Sequence, residues 1–328
     1  MQPDNPFVLV YQYYPWFYGV CSFVFGAICG SFLNVCIFRI PAEQSVVTPG
    51  SHCACGKPIS WKHNIPILSW ILLRGKAACC GRSFSIRYPA VELLTALLFL
   101  ACWAAWGGTA PAVFLAGLVF IFMLLAATFI DLDHMIIPDR FSIGGMVVGV
   151  GLSIVFPAIH GAGGGLTGHI QSGLLAVVGV LVGSAVIYWI ATLAWVALGK
   201  EAMGEGDVKF MGCIGAFCGW EGALFAVFGG ACIGTVLLLP VIVIQRLRGG
   251  AEPATDAVEP GRPDATPAAT GVTPGEADTG PEPGLGLGLA VPFGPMLALG
   301  GLLYFLWLHP WVDAYFLNVR AAFFPVGF

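Results

Sequence analysis

The sequence predicts an all-α polytopic membrane protein with about eight transmembrane helices and a small cysteine-containing cytoplasmic domain between the first two. Of its 328 residues 58% are hydrophobic and only 10% are charged, whereas soluble domains carry roughly 25% charged residues. The apolar runs are long, and a helix needs about 20 such residues to cross a bilayer. The basic residues are also unevenly placed, because seven of the 14 lysines and arginines fall between Arg39 and Arg87.

Five segments follow from these runs. Residues 1–41 contain an N-terminal segment and the first transmembrane helix, and residues 42–87 form the cysteine domain. Residues 88–248 hold the transmembrane core, residues 249–284 an insert, and residues 285–328 the last helix with the C-terminal tail. The first fifteen residues contain no basic side chain, so the chain is not expected to begin with a cleavable signal peptide.

The basic residues orient the predicted helices. A short, strongly basic loop is expected to stay in the cytoplasm, which places the N-terminus outside and the cysteine domain inside. The next four crossings are expected at about residues 88–106, 112–130, 141–159 and 172–198. Between Lys209 and Arg246 only Glu221 is charged, and two crossings fit there if the chain turns near Gly219-Trp220-Glu221. A seven-helix arrangement of this part is the alternative.

The insert differs in composition from everything around it. Residues 251–284 are rich in Pro, Gly, Ala, Thr, Asp and Glu and almost lack large apolar side chains. Such a segment cannot bury a core, so we expect a disordered cytoplasmic insert. The last crossing, at about residues 285–308, then leaves the C-terminus outside.

Two acidic clusters are expected at the same face of the membrane. Asp131 ends one inward-going span, and Asp207 follows another, so the two carboxylates can meet. Two carboxylates in a poorly solvated place do not easily both ionise, and one proton is then shared by the pair. Such a pair can activate water with its ionised member while the protonated member polarises a carbonyl group.

The residues beside Asp207 suit such a site. Gly204 and Gly206 permit close approach of the backbone to a substrate and can adopt positive φ. Lys209 either tunes the carboxylate pair or extends to lipid headgroups.

Other interpretations of the acids remain open. Asp133, Asp139 and Glu205, taken singly, are better explained as interfacial residues or helix caps. A proton-coupled transporter would use intramembrane carboxylates as a relay. It predicts acids at mid-depth and two repeated halves, whereas here the acids lie at one face and no internal repeat is evident.

Four cysteines in the basic loop indicate a metal site. Cys53 and Cys55 are separated by 23 residues from the adjacent Cys79 and Cys80. Thiols stay reduced in the cytoplasm, which favours a structural zinc site over disulfides. Adjacent cysteines do not readily face one ion, so three thiolates with a further ligand such as His52, and a loop without metal, are the alternatives. The other seven cysteines fall in apolar spans and are expected to behave as small hydrophobic residues.

Several separated motifs support a family resemblance. They are Gly30-Ser31-Phe32-Leu33-Asn34-Val35 with Arg39-Ile40-Pro41, Asn64-Ile65-Pro66-Ile67-Leu68-Ser69-Trp70, Arg87-Tyr88-Pro89 with Glu92-Leu93, Asp131-Leu132-Asp133-His134 with Ile137-Pro138-Asp139, Gly204-Glu205-Gly206-Asp207-Val208-Lys209, and Pro292-Phe293-Gly294-Pro295. With them the sequence resembles the bacterial prepilin peptidases, or type IV leader peptidases, of the GxGD class of membrane aspartic proteases.

The resemblance implies that Asp131 and Asp207 are the catalytic pair. It also implies cleavage of the leader from type IV prepilins and type II secretion pseudopilins at the cytoplasmic face of the bacterial inner membrane. N-methylation with S-adenosylmethionine would follow. Besides these substrates only membrane lipid is expected as a partner, and nucleic acid is not.

The cysteine loop departs from the family pattern of two C-x-x-C pairs in both halves. The first pair is C-x-C, and the second is the adjacent Cys79-Cys80, with Ala77 where the family has a cysteine. A peptidase without methyltransferase activity is therefore the alternative. The resemblance also includes Glu92, whose role can be packing, leader recognition or cofactor binding.

Overall fold

Helices account for the regular secondary structure in the part of the chain that the computed structural model describes, namely residues 11, 13–53, 55–199, 203–247 and 292–323. No strand occurs in these ranges beyond two isolated bridge pairs in the cysteine domain. The predicted all-α class is confirmed. The predicted disordered insert lies outside the described residues.

The long helices follow the predicted order. They are α1 Pro15–Arg39, α2 Arg87–Cys102, α3 Pro111–His134, α4 Ile143–Val155, α5 Leu166–Leu198, α6 Glu205–Leu247, α7 Gly294–Leu303 and α8 His309–Phe323. π-Helical turns at Trp103–Gly107 and Tyr304–Leu308 extend α2 and join α7 to α8. Six helical stretches are long and apolar enough to cross a membrane, and α4 is a shorter apolar helix. The chain is thus a multi-pass membrane protein.

Helix α6 folds back on itself at Gly219. This glycine has φ 69° and ψ −177°, a conformation that is essentially restricted to glycine. A Cβ atom added to Gly183 of α5 would lie 2.6 Å from the carbonyl oxygen of Met211 and 3.3 Å from Cβ of Ala223. A straight helix would separate those two residues by about 18 Å. The predicted turn is therefore present. With the two arms counted separately and the continuous stretch Gly294–Phe323 counted once, the described residues form eight apolar helical segments.

Small residues bring α1 and α2 into backbone contact. Gly26 and Gly30 form a G-x-x-x-G pattern on α1, and an added Cβ at either would lie 2.7 Å from a Cα atom of α2. Ser22, one turn earlier, donates a 2.9 Å hydrogen bond to the carbonyl of Phe99. Small residues at this spacing are a common basis of helix association in membranes. The first two helices thus form one close-packed pair.

An aromatic cluster packs α3 against α6 and the π-helical turn after α7. The Phe120 ring stacks on Phe217 with centroids 4.8 Å apart and contacts Phe305 at 5.3 Å. All three side chains are buried. The cluster fixes α3 beside the first arm of α6, which are the two elements that carry Asp131 and Asp207.

By internal packing the chain divides into two units, Met1–Ile233 with Pro292–Phe328, and Gly234–Val291. The first contains the cysteine domain and both acidic clusters. Of the second, only residues 234–247 are described, and they are helical.

Candidate active site

Asp131 lies in the last turn of α3, at the end of a span as the sequence indicated. The helix continues to His134, and Met135 ends it in a left-handed conformation with φ 55°, its N–H donating to the Asp131 carbonyl at 2.9 Å. The Asp131 side chain is only 6% exposed. Its Oδ2 atom is buried without a hydrogen-bond partner among the described residues. The backbone N–H of Gly294, at the start of α7, faces this carboxylate.

Asp207 lies in the first turn of α6. Its backbone N–H donates to the carbonyl of Gly204 at 3.1 Å, and its side chain is 9% exposed. The N-terminus of a helix carries a partial positive charge, which favours a carboxylate there. The charge of Asp131 acts on Asp207, so the structure brings the two predicted residues together.

The pair is therefore two carboxylates that are buried and electrostatically coupled. Like charges in a poorly solvated place carry one negative charge more readily than two. An unpartnered buried oxygen is costly unless something satisfies it, and Asp131 Oδ2 is such an atom. The arrangement is suited to share a proton and to hydrogen-bond a polar molecule between the side chains.

Three glycines surround the pair in different ways. A Cβ atom at Gly294 would lie 2.5 Å from Asp131 Oδ2, and one at Gly206 would lie 3.3 Å from Cβ of Ile137. A Cβ atom added at Gly204 would lie 3.9 Å from the backbone nitrogen of Gly206 and 4.0 Å from an oxygen of Asp207. Neither Gly204 nor Gly206 has positive φ, so that part of the prediction is wrong. Gly294 had no predicted site role, although its motif was noted.

Lys209 forms ion pairs with acids outside the catalytic candidates. Its Nζ atom lies 2.9 Å from Glu205 and 3.2 Å from Asp139. It thereby joins the start of α6 to the loop that follows α3. No salt bridge of Lys209 with Asp131 or Asp207 is present in the described structure, so its support of the site is through this loop.

Asp133 also has its own partner. Its carboxylate lies 2.6 Å from the guanidinium of Arg87 at the start of α2. That guanidinium additionally lies over the ring of Phe129 at 5.7 Å. Asp133 is thus held in an ion pair of its own, outside the candidate catalytic pair.

The four cysteines of the basic loop form one cluster. Cys53 and Cys80 have sulfur atoms 3.6 Å apart, and those of Cys55 and Cys79 are 3.5 Å apart. All four lie within 4.8 Å of one another. Tetrahedral zinc with Zn–S bonds of about 2.3 Å needs sulfurs roughly 3.8 Å apart, so the set fits. His52 lies outside the cluster and its Nδ1 contacts the Gly50 carbonyl at 3.1 Å.

Hydrogen bonds within the cluster distinguish its thiols. The Cys55 backbone, followed by the Cys79 and Cys80 side chains, lowers the pKa of Cys53 to about 7. Hydrogen bonds to Cys53 and then Cys55 raise the pKa of Cys79 to about 12. The adjacent Cys79 and Cys80 do face the same centre as Cys53 and Cys55, contrary to the geometric objection raised from sequence.

Comparison with known proteins connects both halves of the chain to one family. Residues 24–106 match the bacterial peptidase A24 N-terminal domain, and residues 118–239 match the type IV leader peptidase family. A prepilin leader peptidase/N-methyltransferase of Myxococcus xanthus (strain DK1622) is 35% identical over 322 residues, covering 90% of this chain and 92% of that protein.

Two further relatives extend the comparison. The prepilin leader peptidase/N-methyltransferase of Aeromonas hydrophila is 32% identical over 264 residues, which cover 70% of this chain and 83% of that protein. The type 4 prepilin-like proteins leader peptide-processing enzyme of Escherichia coli O78:H11 is 38% identical over 232 residues, which cover 64% of this chain and 80% of that protein. No solved structure matches the chain.

Proposed function

The chain belongs to the type IV leader peptidase family, and on this premise we propose that it cleaves the leader peptide of type IV prepilins with Asp131 and Asp207 as its catalytic pair, and then methylates the new N-terminus. The observation that supports the peptidase assignment is the coupling of two buried carboxylates at the ends of α3 and α6. The relatives are named as peptidases and N-methyltransferases.

The reaction requires one proton on the pair. The ionised carboxylate accepts a proton from water as the water oxygen attacks the scissile carbonyl carbon. The protonated carboxylate donates its proton to the carbonyl oxygen. When the tetrahedral intermediate breaks down, the C–N bond cleaves and the amine leaves with the proton taken from water. The carboxylate that had protonated the carbonyl oxygen takes a hydroxyl proton back, so the pair again holds one proton. The two side chains exchange roles, so no individual acid and base are assigned.

The setting of the pair suits a substrate that is partly in the membrane. Asp131 and Asp207 lie at helix ends rather than at mid-helix, which does not match the mid-depth relay of a transporter. We place this end of the helices at the cytoplasmic face of the bacterial inner membrane, because the basic cysteine domain favours that side. Pseudopilins of type II secretion are substrates of the same kind, and lipid surrounds the spans.

Two small partners complete the proposed function. Cys53, Cys55, Cys79 and Cys80 would hold a structural zinc ion, which supplies a rigid cross-link to a domain with little core of its own. S-adenosylmethionine would supply the methyl group. The cluster geometry supports the zinc assignment, and the names of the relatives support the methyl donor.

The test is to replace each aspartate and measure cleavage of a purified prepilin by its shift on a gel. Asp131→Asn and Asp207→Asn are each expected to lose about 10³-fold or more, since positioned acid–base groups contribute roughly 10²–10⁴-fold. Asp133→Asn, which changes the carboxylate paired with Arg87, is the matched control and keeps near-normal cleavage. Normal cleavage by either the Asp131 or the Asp207 variant would refute the catalytic role of this pair. Mass measurement of the product N-terminus separates peptidase-only activity from cleavage with methylation.

A further inference from the structure

The loop between α3 and α4, residues 135–142, brings one apolar side chain to the aspartate pair. Ile136 is half exposed, whereas the next residue, Ile137, packs against the buried core. Directly afterwards the chain turns, and the N–H of Phe141 donates to the carbonyl of Pro138 at 2.9 Å. The reaction described above uses none of these residues.

Ile137 lies between the starts of α6 and α7. A Cβ atom added to Gly206 would lie 3.3 Å from Cβ of Ile137 and 3.7 Å from its backbone nitrogen. One added to Gly294 would lie 3.1 Å from Cδ1 of Ile137 and 2.5 Å from Oδ2 of Asp131. The tip of the Ile137 side chain therefore neighbours the carboxylate of Asp131, and its base packs against the residue that precedes Asp207.

Another side of the aspartate pair is open. Gly204 is exposed, and among the described residues an added Cβ there would have only the backbone nitrogen of Gly206 and an oxygen of Asp207 within 4 Å. A polypeptide can thus approach the pair past Gly204, whereas Ile137 occupies the space behind it. Oδ2 of Asp131 is buried without a hydrogen-bond partner in the described structure, and an isoleucine side chain offers it none. A partner of this oxygen must therefore approach from a side that Ile137 does not fill.

One ion pair holds the loop against α6. Nζ of Lys209 lies 3.2 Å from Oδ1 of Asp139, which follows Ile137 by two residues. The shorter contact of Lys209, at 2.9 Å from Glu205, joins two residues of α6 and so cannot fix the loop. Asp139 is 61% exposed, and an ion pair of this kind is weak and is screened by salt. The pair therefore biases the loop toward its observed position without locking it there.

We propose that Ile137 is a positioning residue for the peptidase reaction, which backs the aspartate pair and restricts its orientation. The Lys209–Asp139 ion pair keeps Ile137 in this place. An apolar side chain beside a reacting carboxylate excludes water from that side and limits the rotation of the group. Attacking water and the scissile carbonyl then meet the pair from the open side. The inference rests on the peptidase half of the proposed function, because it concerns the same two carboxylates.

The first test shortens Ile137 in two steps. Ile137→Val removes only Cδ1, the atom nearest Asp131, and Ile137→Ala also removes both γ carbons. In steady-state cleavage of a purified prepilin, kcat is expected to fall about threefold and about tenfold respectively, because misplacement of a reacting group slows the chemical step. KM should stay within about twofold of wild type, since substrate contacts elsewhere are unchanged. Ile136→Ala, which shortens the neighbouring half-exposed isoleucine, is the matched control and keeps the wild-type kcat.

The second test separates the ion pair from its two members. Asp139→Asn and Lys209→Met are each expected to lower kcat about threefold to fivefold, in keeping with a weak exposed pair. The double variant should be no slower than the slower single variant, because both changes remove one interaction. Lys209→Arg should restore the rate. Raising KCl from about 0.02 to about 0.5 M should slow the wild type more than Asp139→Asn, since salt screens the pair only where it exists.

The outcomes decide between the two levels of the proposal. Wild-type kcat in Ile137→Ala and Asp139→Asn, beside an inactive Asp131→Asn enzyme, would overturn the positioning role alone. Normal cleavage by Asp131→Asn would overturn the proposed peptidase mechanism and this inference with it. An equal loss of kcat in Ile136→Ala would contradict the specific role of Ile137, and additive losses in the double variant would contradict the ion pair. Melting temperatures in the same detergent identify misfolded variants, and Ile137→Val decides if Ile137→Ala does not fold.

Discussion

Replacement of Gly294 by alanine tests the geometry of the aspartate pair without removing either carboxylate. Gly294 begins α7, and its backbone faces Asp131 from across the site. The residue does not have positive φ, so alanine can adopt the same backbone. The only new atom is a methyl group, which would lie 2.5 Å from Asp131 Oδ2 and 3.1 Å from Cδ1 of Ile137.

The size of the effect follows from these distances. Ordinary contact begins near 3.4 Å, so the carboxylate oxygen or α7 must move by roughly 0.9 Å, and displacement of a reacting group by about 1 Å can cost on the order of 10²-fold in rate. We expect kcat/KM for leader cleavage to fall about 100-fold, equivalent to roughly 2.7 kcal/mol in the barrier. The loss should appear mainly in kcat, because substrate contacts elsewhere are unchanged.

The assay is steady-state cleavage of a purified prepilin, with the melting temperature measured in the same detergent. Gly151→Ala is the matched control, because no atom lies within 4 Å of its added Cβ and alanine is favoured over glycine in a helix. A Gly294→Ala enzyme that folds and cleaves within threefold of the wild-type rate would refute the assignment of Asp131 to the reacting centre.

Three further results are expected. Asp133→Asn removes an ion pair whose side chains are 45% and 28% exposed, so the free energy of unfolding should fall by less than about 1 kcal/mol, and a larger drop in denaturant titrations would contradict this account. Metal analysis of the purified wild-type protein is expected to find one bound zinc ion, which Cys79→Ser should abolish and a conservative Cys21→Ser variant should keep. Burial lowers the pKa of His160 to about 4 from 6.5, so as the pH falls the unfolded chain binds this proton at a higher pH than the folded protein does. The free energy of unfolding should then fall by about 1.4 kcal/mol per pH unit from pH 6.5 down to 4, roughly 3 kcal/mol in all, and His160→Asn should flatten that slope.

The pairing of Asp131 with Asp207 was predictable because it depends on topology. Counting apolar spans puts both residues at one end of the helix bundle. The positions of the basic residues predict that this end faces the cytoplasm. The turn at Gly219 was predictable for a related reason, since two crossings fit the apolar stretch only if the chain reverses there. Arguments of this kind use length and polarity, which the sequence states directly.

Details that depend on packing between distant segments were not predictable. Gly204 and Gly206 looked like positions for positive φ, yet the close approaches are made by Gly206 to Ile137 and by Gly294 to Asp131. The convergence of Cys79 and Cys80 on one centre likewise depends on how the loop folds around the first cysteine pair. The sequence around a glycine or a cysteine does not indicate which residue from a distant segment will pack against it.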